Sequence, residues 1–263
     1  MKVRKYYIAK SLEDAYAVLQ KDSKNAILGG GLWLKKANSP IDTLIDISRL
    51  GLDRIVNHKD HVEIGSLVSE REVEISESVK SIADGIVSIG TGEIMGVPFR
   101  HMATIGGSVA GKYPFSDIIT PLLALDVTLH FYPERKISLS EYLLNKDKLG
   151  ILVSISIKKE KARGYFKKVE VTALDFPIVN IAICKADSQY RISIGSRPSV
   201  ASLALEAMSY LNGIKHPEAK DFERAAELAS TSLRFSNSPS SSEEYRRALA
   251  KTYVRRGLEE VSK

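Results

Sequence analysis

Two glycine-rich stretches carry the clearest chemical signal in this chain of 263 residues. The first, "LGGGLWLKK" from Leu28 to Lys36, sets Gly29, Gly30 and Gly31 directly after a short apolar run and ahead of Leu32 and Trp33. The second, "ATIGGSVAG" from Ala103 to Gly111, places Ile105, Gly106 and Gly107 between the hydroxyls of Thr104 and Ser108. Glycine lacks the Cβ that would block approach, so main-chain N–H groups in such loops can converge on a phosphate. Each loop alone reads as a tight turn. Two of them, one flanked by hydroxyls, point to a ligand carrying a diphosphate. Neither follows the dinucleotide fingerprint G-x-G-x-x-G or ends in the P-loop G-K-[ST]. "GTGEIMG" near Gly90 approaches the first pattern at the wrong spacing, and Pro98 interrupts the helix that should follow it. Asp117, in "YPFSDIITP", lies just beyond the second loop, where an acidic residue serves either as a helix cap or as an acceptor for ribose hydroxyls.

The remaining reactive side chains argue against hydrolytic chemistry. His58 and His61 in "NHKDH" read as solvated histidines of a polar turn, while His101, His130 and His216 are scattered. None of these last three has the neighbouring Ser, Cys or carboxylate of a nucleophile–base pair. Cys184, the single cysteine, stands in the apolar run "IVNIAICKA" and reads as a small buried hydrophobe. One thiol cannot close an internal disulfide, nor hold an iron–sulfur cluster or a cysteine-rich zinc site by itself. With few acids, bases or nucleophiles near the loops, a cofactor bringing its own chemistry fits best.

Helical spacing and short apolar runs give the elements that must position these loops. Ser11 with Asp14 matches a capping box ahead of Leu12, Ala15, Tyr16 and Leu19. "NAILGGG" reads as a buried strand entering the first loop, with "TLIDISRL" and "HVEIGSLVS" as further strands. "EVEISESVKSIADGIVSI" predicts one helix burying Ile75, Val79, Ile82 and Ile86, and "DIITPLLALDVTLHFY" a helix leading into a strand, followed by strand-like "GILVSISIK". From about residue 162 three strands in sequence, "YFKKVEVT", "PIVNIAICKA" and "YRISIGS", favour antiparallel pairing. Helices follow near 200–212, 218–232 and 242–261, the last with Ser241 and Glu244 placed for a capping box. Strands followed by helices imply an α+β unit separate from the first, with a boundary near "KKEKARG".

Composition is that of a globular protein, with 44% hydrophobic and 27% charged residues. The net charge of +6 is diluted by interspersed acids, and the basic "YRRALAKTYVRRGLEE" reads as a solvated helix face, so nucleic acid is not the expected partner. No apolar run reaches the length of a membrane span, and a soluble cytoplasmic protein is expected.

These motifs resemble the FAD-binding subunit or domain of the molybdenum hydroxylases, the family that includes xanthine dehydrogenase and the flavoprotein subunit of aerobic carbon monoxide dehydrogenase. "AILGGGLWLKK" is similar to the family's first glycine loop, and "FRHMATIGGS" to its I-R-N-x-A-T-I-G-G-N motif, with His101 and Ser108 standing where the family has asparagine. "YPFSDIITPLLALDV", "YFKKVEVTALDFPIVNIAI" and "SSSEEYRRALAKTYVRRGLEE" continue the likeness in constant order, from about residue 5 to 260.

The resemblance implies an α+β fold: a two-part, non-Rossmann FAD-binding domain of the PCMH type over 1–161 (pieces about 1–54 and 55–161), then a C-terminal domain over 162–263 with a three-stranded antiparallel sheet and helices. It implies noncovalent FAD held at Leu28, Gly29, Gly30, Gly31, Leu32 and Trp33 and at Thr104, Ile105, Gly106, Gly107 and Ser108. Asp117 would face the ribose or ribityl chain, Leu152 the flavin, and Lys167, or the adjacent Lys168, the flavin ring. It further implies an oxidoreductase subunit of a heterotrimer. A [2Fe–2S] partner would deliver electrons, a molybdopterin-bearing partner would oxidise substrate, and NAD+ or another acceptor would leave with the electrons. A self-contained flavoenzyme of the same fold and a scaffold that has lost the cofactor are the alternatives.

Overall fold

The computed structural model describes residues 2–36 and 39–263. The chain opens with strand β1 (Val3–Ile8), helix α1 (Leu12–Leu19) and strands β2 (Ala26–Leu28) and β3 (Ile41–Asp46). These strands form a parallel sheet in the order β1-β3-β2. The basic, largely exposed β1 gave no alternating pattern to predict it. Only half of the expected capping box forms at α1. Ser11 Oγ accepts from the Asp14 N–H at 3.2 Å, while the Asp14 carboxylate accepts from the Lys10 N–H and the Tyr7 hydroxyl instead.

The middle of the chain begins with β4 (Ile55–Asn57) and β5 (His61–Gly65). The helix expected next is broken into α2 (Glu70–Ile75), α3 (Glu77–Lys80) and α4 (Ile86–Gly92). Ser76 is extended between the first two, and Ala83 and Asp84 adopt φ of 45° and 53° before the third. The Asp84 carboxylate, which accepts from Arg163 Nε and the Gly164 N–H, holds that turn. The break rotates Ile75 out to 47% exposure, whereas Val79, Ile82 and Ile86 are buried as the spacing predicts. Then come α5 (Val97–Met102), α6 (Ile105–Gly111), α7 (Ile119–Leu123), β6 (Val127–Tyr132), β7 (Arg135–Ser138), α8 (Leu139–Leu144) and β8 (Ile151–Lys158). The five strands of this region form an antiparallel sheet ordered β4-β5-β8-β6-β7. Val62, Ile64, Val127, Leu129, Ile155 and Ile157 fill one face at the strand period of two and pack on the helices.

β9 (Ala162–Val169), β10 (Val179–Ala186), β11 (Gln189–Gly195) and the two-residue β12 (Ser202–Leu203) form the third sheet, antiparallel in the order β12-β11-β10-β9. The expected three strands are present, with β12 added where a helix was expected to begin. Helices α9 (Leu205–Asn212), α10 (Ala219–Ser232) and α11 (Glu243–Val261) cover one face. The serine that caps α11 is Ser242, accepting from the Tyr245 N–H, and not Ser241; a run of serines leaves that register open. Strand β10 is buried on both faces. Ile181 and Ile183 pack on the C-terminal helices, while Ala182, Cys184 and Ala186 join the core of the middle region. Burial pushes the Cys184 thiol up to about 11, as befits a packing residue. No helix among the described residues is long and apolar enough to cross a membrane.

Candidate functional site

The two glycine loops, about 75 residues apart in sequence, meet in space. A Cβ on Gly30 would fall 1.9 Å from the Met102 carbonyl oxygen, so only glycine lets the first loop cross the end of α5. A Cβ on Gly106 would fall 2.4 Å from the Ser66 carbonyl oxygen, which seats α6 on the turn after β5. Thr104 links the two loops. As N-cap of α6 its Oγ1 accepts from the Gly107 N–H at 3.3 Å, and it also receives the Gly30 N–H at 3.4 Å.

Between the loops lies a cavity of about 240 Å³, lined by Gly29, Gly30, Gly31, Leu32, Trp33, Thr104, Gly107 and Ser108 together with Tyr113. Not every predicted residue reaches it. Ile105 is fully buried in the core. Its N–H and that of Gly106 donate to the Val68 and Ser66 carbonyls at 3.0 and 2.9 Å, so these two groups anchor the loop. Leu28 lies under Gly31 and lines none of the cavities described here. Gly106 and Leu152 line a smaller space of about 140 Å³ behind the loops, where Gly29, Thr104 and Gly107 form a shared wall. Leu152 also borders a groove of about 820 Å³ that runs past Ala110, Lys112 and Asn145–Gly150.

Asp117 lies on the other side of Ser108, Trp33 and Tyr113, in a pocket shared with Glu70, Lys168 and Phe176. Its carboxylate accepts from Asn180 Nδ2 at 2.6 Å and lies 3.6 Å from Lys168 Nζ. Burial nevertheless pushes Asp117 up, to about 7, against the pull of Lys168 and Asn180. Of the two adjacent lysines, Lys168 is the one at this pocket. Its ammonium also reaches Glu170 at 2.6 Å and donates to the Glu93 carbonyl. Lys167, one position away on a strand, faces the opposite side, 6.0 Å from the ring centre of Tyr253. Trp33 separates pocket and cavity within an aromatic cluster, 5.0 Å from Tyr113 and 5.1 Å from Phe115 by ring centres, with Phe99 and Phe176 at 6.2 Å.

Sequence reasoning missed Glu70, Asn180 and Arg100. Glu70 is 1% exposed and accepts from Ser108 Oγ at 2.5 Å, so the off-pattern serine of the second loop has a specific partner. Asn180 was visible in principle as the one polar residue inside "PIVNIAI". Fully buried, it receives Thr120 Oγ1, donates to the Ser116 carbonyl and holds Asp117. Arg100 pins the chain between α4 and α5 by donating to the Ile94 and Met95 carbonyls and to Glu74.

Residues 1–157 match the FAD binding domain in molybdopterin dehydrogenase, and residues 164–261 the CO dehydrogenase flavoprotein C-terminal domain. The chain is 26% identical over 194 residues to the glyceraldehyde dehydrogenase medium chain of Sulfolobus acidocaldarius, 68% of each chain. Its fold superposes on a chain of carbon monoxide dehydrogenase from Hydrogenophaga pseudoflava with a TM-score of 0.89 at 22% identity, covering 98% of this chain and 96% of the other. Quinoline 2-oxidoreductase from Pseudomonas putida 86 gives a TM-score of 0.87 at 20% identity, with the same coverage. The α+β arrangement is thus that of such oxidoreductase chains, and with more than half its length matched by the family's FAD-binding domain, this chain belongs to the FAD-binding subunits of the molybdopterin dehydrogenases.

Proposed function

We propose that this chain is the electron-transfer subunit of a molybdenum-containing hydroxylase or dehydrogenase. In this reading electrons from a partner [2Fe–2S] chain pass through FAD to NAD+ or another acceptor, and substrate is oxidised on a molybdopterin-bearing partner. One observation carries the reading: two glycine loops from distant parts of the chain converge on one cavity, tied together by Thr104. We also read the chain as FAD-binding over 1–161, in pieces of about 1–54 and 55–161, with 162–263 as a separate C-terminal unit.

The residues present fit FAD. Backbone at Gly29, Gly31 and Leu32, with the hydroxyl proton of Thr104, whose oxygen accepts from Gly30 and Gly107, supplies donors for a diphosphate at the centre of an elongated site. The cavities on either side share walls with this one, as a long, thin cofactor requires. When bound, FAD takes up electrons singly or in pairs and so joins one-electron to two-electron chemistry. The protein's own part is to bind and orient. Asp117, held by Asn180 and Lys168, is placed to accept hydrogen bonds from a hydroxylated chain. Leu152 offers apolar contact, and the ring cluster around Trp33 excludes water from one wall. Glu70 and Asp117, both pushed up to about 7, can hold or release a proton near neutral pH beside the site.

The test is the absorbance spectrum of the purified chain titrated with FAD, alone and with its partner chains. A bound-flavin spectrum at one equivalent is expected, and no flavin binding under either condition refutes the reading. Turnover of a small organic substrate by the isolated chain would favour a self-contained flavoenzyme instead.

A further inference from the structure

The hairpin of β4 and β5 contributes no residue to the cavities described above, yet it gathers three metal-ligating side chains. The sequence His58-Lys59-Asp60-His61-Val62-Glu63 turns so that the His58 N–H donates to the His61 carbonyl at 3.0 Å, setting the two histidines opposite each other. Glu63, two residues beyond His61 on β5, shares its face by the strand period. Both imidazoles and the carboxylate therefore project together as a consequence of the hairpin register. The rings stack with centres 4.3 Å apart, His58 Nε2 lies 3.5 Å from Glu63 Oε2, and one ligand atom from each of the three falls within 4.8 Å of the others. Four-coordinate zinc, with bonds of about 2.0–2.1 Å, needs its ligand atoms about 3.3 Å apart, a closure that side-chain rotation supplies.

Three further observations favour a cation. His61 Nδ1 is 2.9 Å from Asp60 Oδ1, the carboxylate–imidazole contact that orients a ligating histidine and directs its Nε2 outward to a metal. His58 Nε2 is sealed from solvent and makes no hydrogen bond, with Glu63 Oε2 approaching to only 3.5 Å, a spacing that a shared metal ion would bridge. The turn is also held in place. The Lys159 N–H donates to the Asp60 carbonyl at 2.8 Å, and Lys159 Nζ donates to the His58 carbonyl.

We propose that His58, His61 and Glu63 form a binding site for a divalent transition metal of the zinc and nickel class, with the remaining coordination positions open to water. Two imidazoles and one carboxylate select borderline metals over Mg2+ and Ca2+, which take oxygen ligands. The bound ion ties the turn that follows β4, the three-residue edge strand of the five-stranded sheet, to β5.

The test uses the full chain freed of any polyhistidine tag, with ZnCl2 and NiCl2 as probes in isothermal titration and thermal melting. One equivalent of Zn2+ should bind and raise the melting temperature, and Mg2+ should do neither. His61→Ala should abolish binding, His58→Ala and Glu63→Gln should weaken it at least tenfold, and Asp60→Asn should weaken it about tenfold by loosening His61. Circular dichroism separates lost binding from lost folding, since all four positions lie in the edge hairpin and outside the hydrophobic core. Failure of the wild-type chain to bind Zn2+ or Ni2+, equal binding of Mg2+, or undiminished stoichiometry in His61→Ala would overturn the site. Because no flavin is involved, these outcomes are independent of the cofactor reading.

Discussion

Glu70 opens α2 with one carboxylate oxygen held by Ser108 and the other, Oε2, buried without a hydrogen bond. Burial is the main reason its pKa rises from the ordinary 4.5 to about 7. Ser108 and Arg100 pull the other way, and the Asp117 charge adds to the rise. An acid whose folded pKa is raised stabilises the protein fully below the unfolded value, and that contribution is lost as pH climbs through the folded one. Stability should therefore fall from pH 5 to pH 8 by up to about 3 kcal/mol through this residue, since each pKa unit is worth about 1.4 kcal/mol. Glu70→Gln cannot ionise, so its stability relative to wild type should improve across that interval. Denaturant midpoints at the two pH values measure this, and an unchanged difference would show that Glu70 is not the titrating group. Little in the sequence marks Glu70, because nothing in "LVSEREV" tells that α2 packs against the second glycine loop.

At the scale of an element, the start of α6 divides into two jobs. Gly106 is pressed against Ser66, whereas Gly107 is exposed and lines the cavity. Gly106→Val should force the β5 turn away and lower stability by several kcal/mol, as overpacked sites do. Gly107→Val, whose Cβ would meet only the Thr104 hydroxyl at 3.1 Å, should keep the fold and lose FAD. Thermal melting and flavin absorbance on both variants decide this. Flavin retained in Gly107→Val removes α6 from the site, and an unaltered melting temperature in Gly106→Val removes the Ser66 contact. Other elements show how far local pattern reaches. β10 and β8 follow from their apolar runs, because a buried strand needs no partner to declare itself. The single helix expected over 72–89 breaks into three, because Ser76 and the positive-φ pair Ala83 and Asp84 answer to tertiary contacts such as Arg163 with Asp84.

At the scale of the molecule, β10 joins the C-terminal unit to the middle core. Cys184 lies at that seam, fully buried, its thiol pushed up to about 11. A thiol so placed reacts only when the two parts separate or the chain unfolds. Labelling with an aromatic disulfide reagent should follow the unfolding rate in denaturant and be negligible in the native protein. Rapid native labelling would mean that the seam opens on its own. Asn180, four residues earlier on the same strand, carries the seam to the site, since its amide holds Asp117.

The sequence by itself determined the order of the parts, the two loops and the family likeness. All of these rest on residue type and spacing along the chain. Only the tertiary structure decided which glycines meet protein and which line the cavity, because that depends on where Met102 and Ser66 lie. It also placed Lys168 at the Asp117 pocket and Lys167 against Tyr253, a matter of strand register to which pairing with β10 is the key. The histidine pair reads as a polar turn in one dimension. The hairpin register and the neighbouring Asp60 and Glu63 make it a constellation in three.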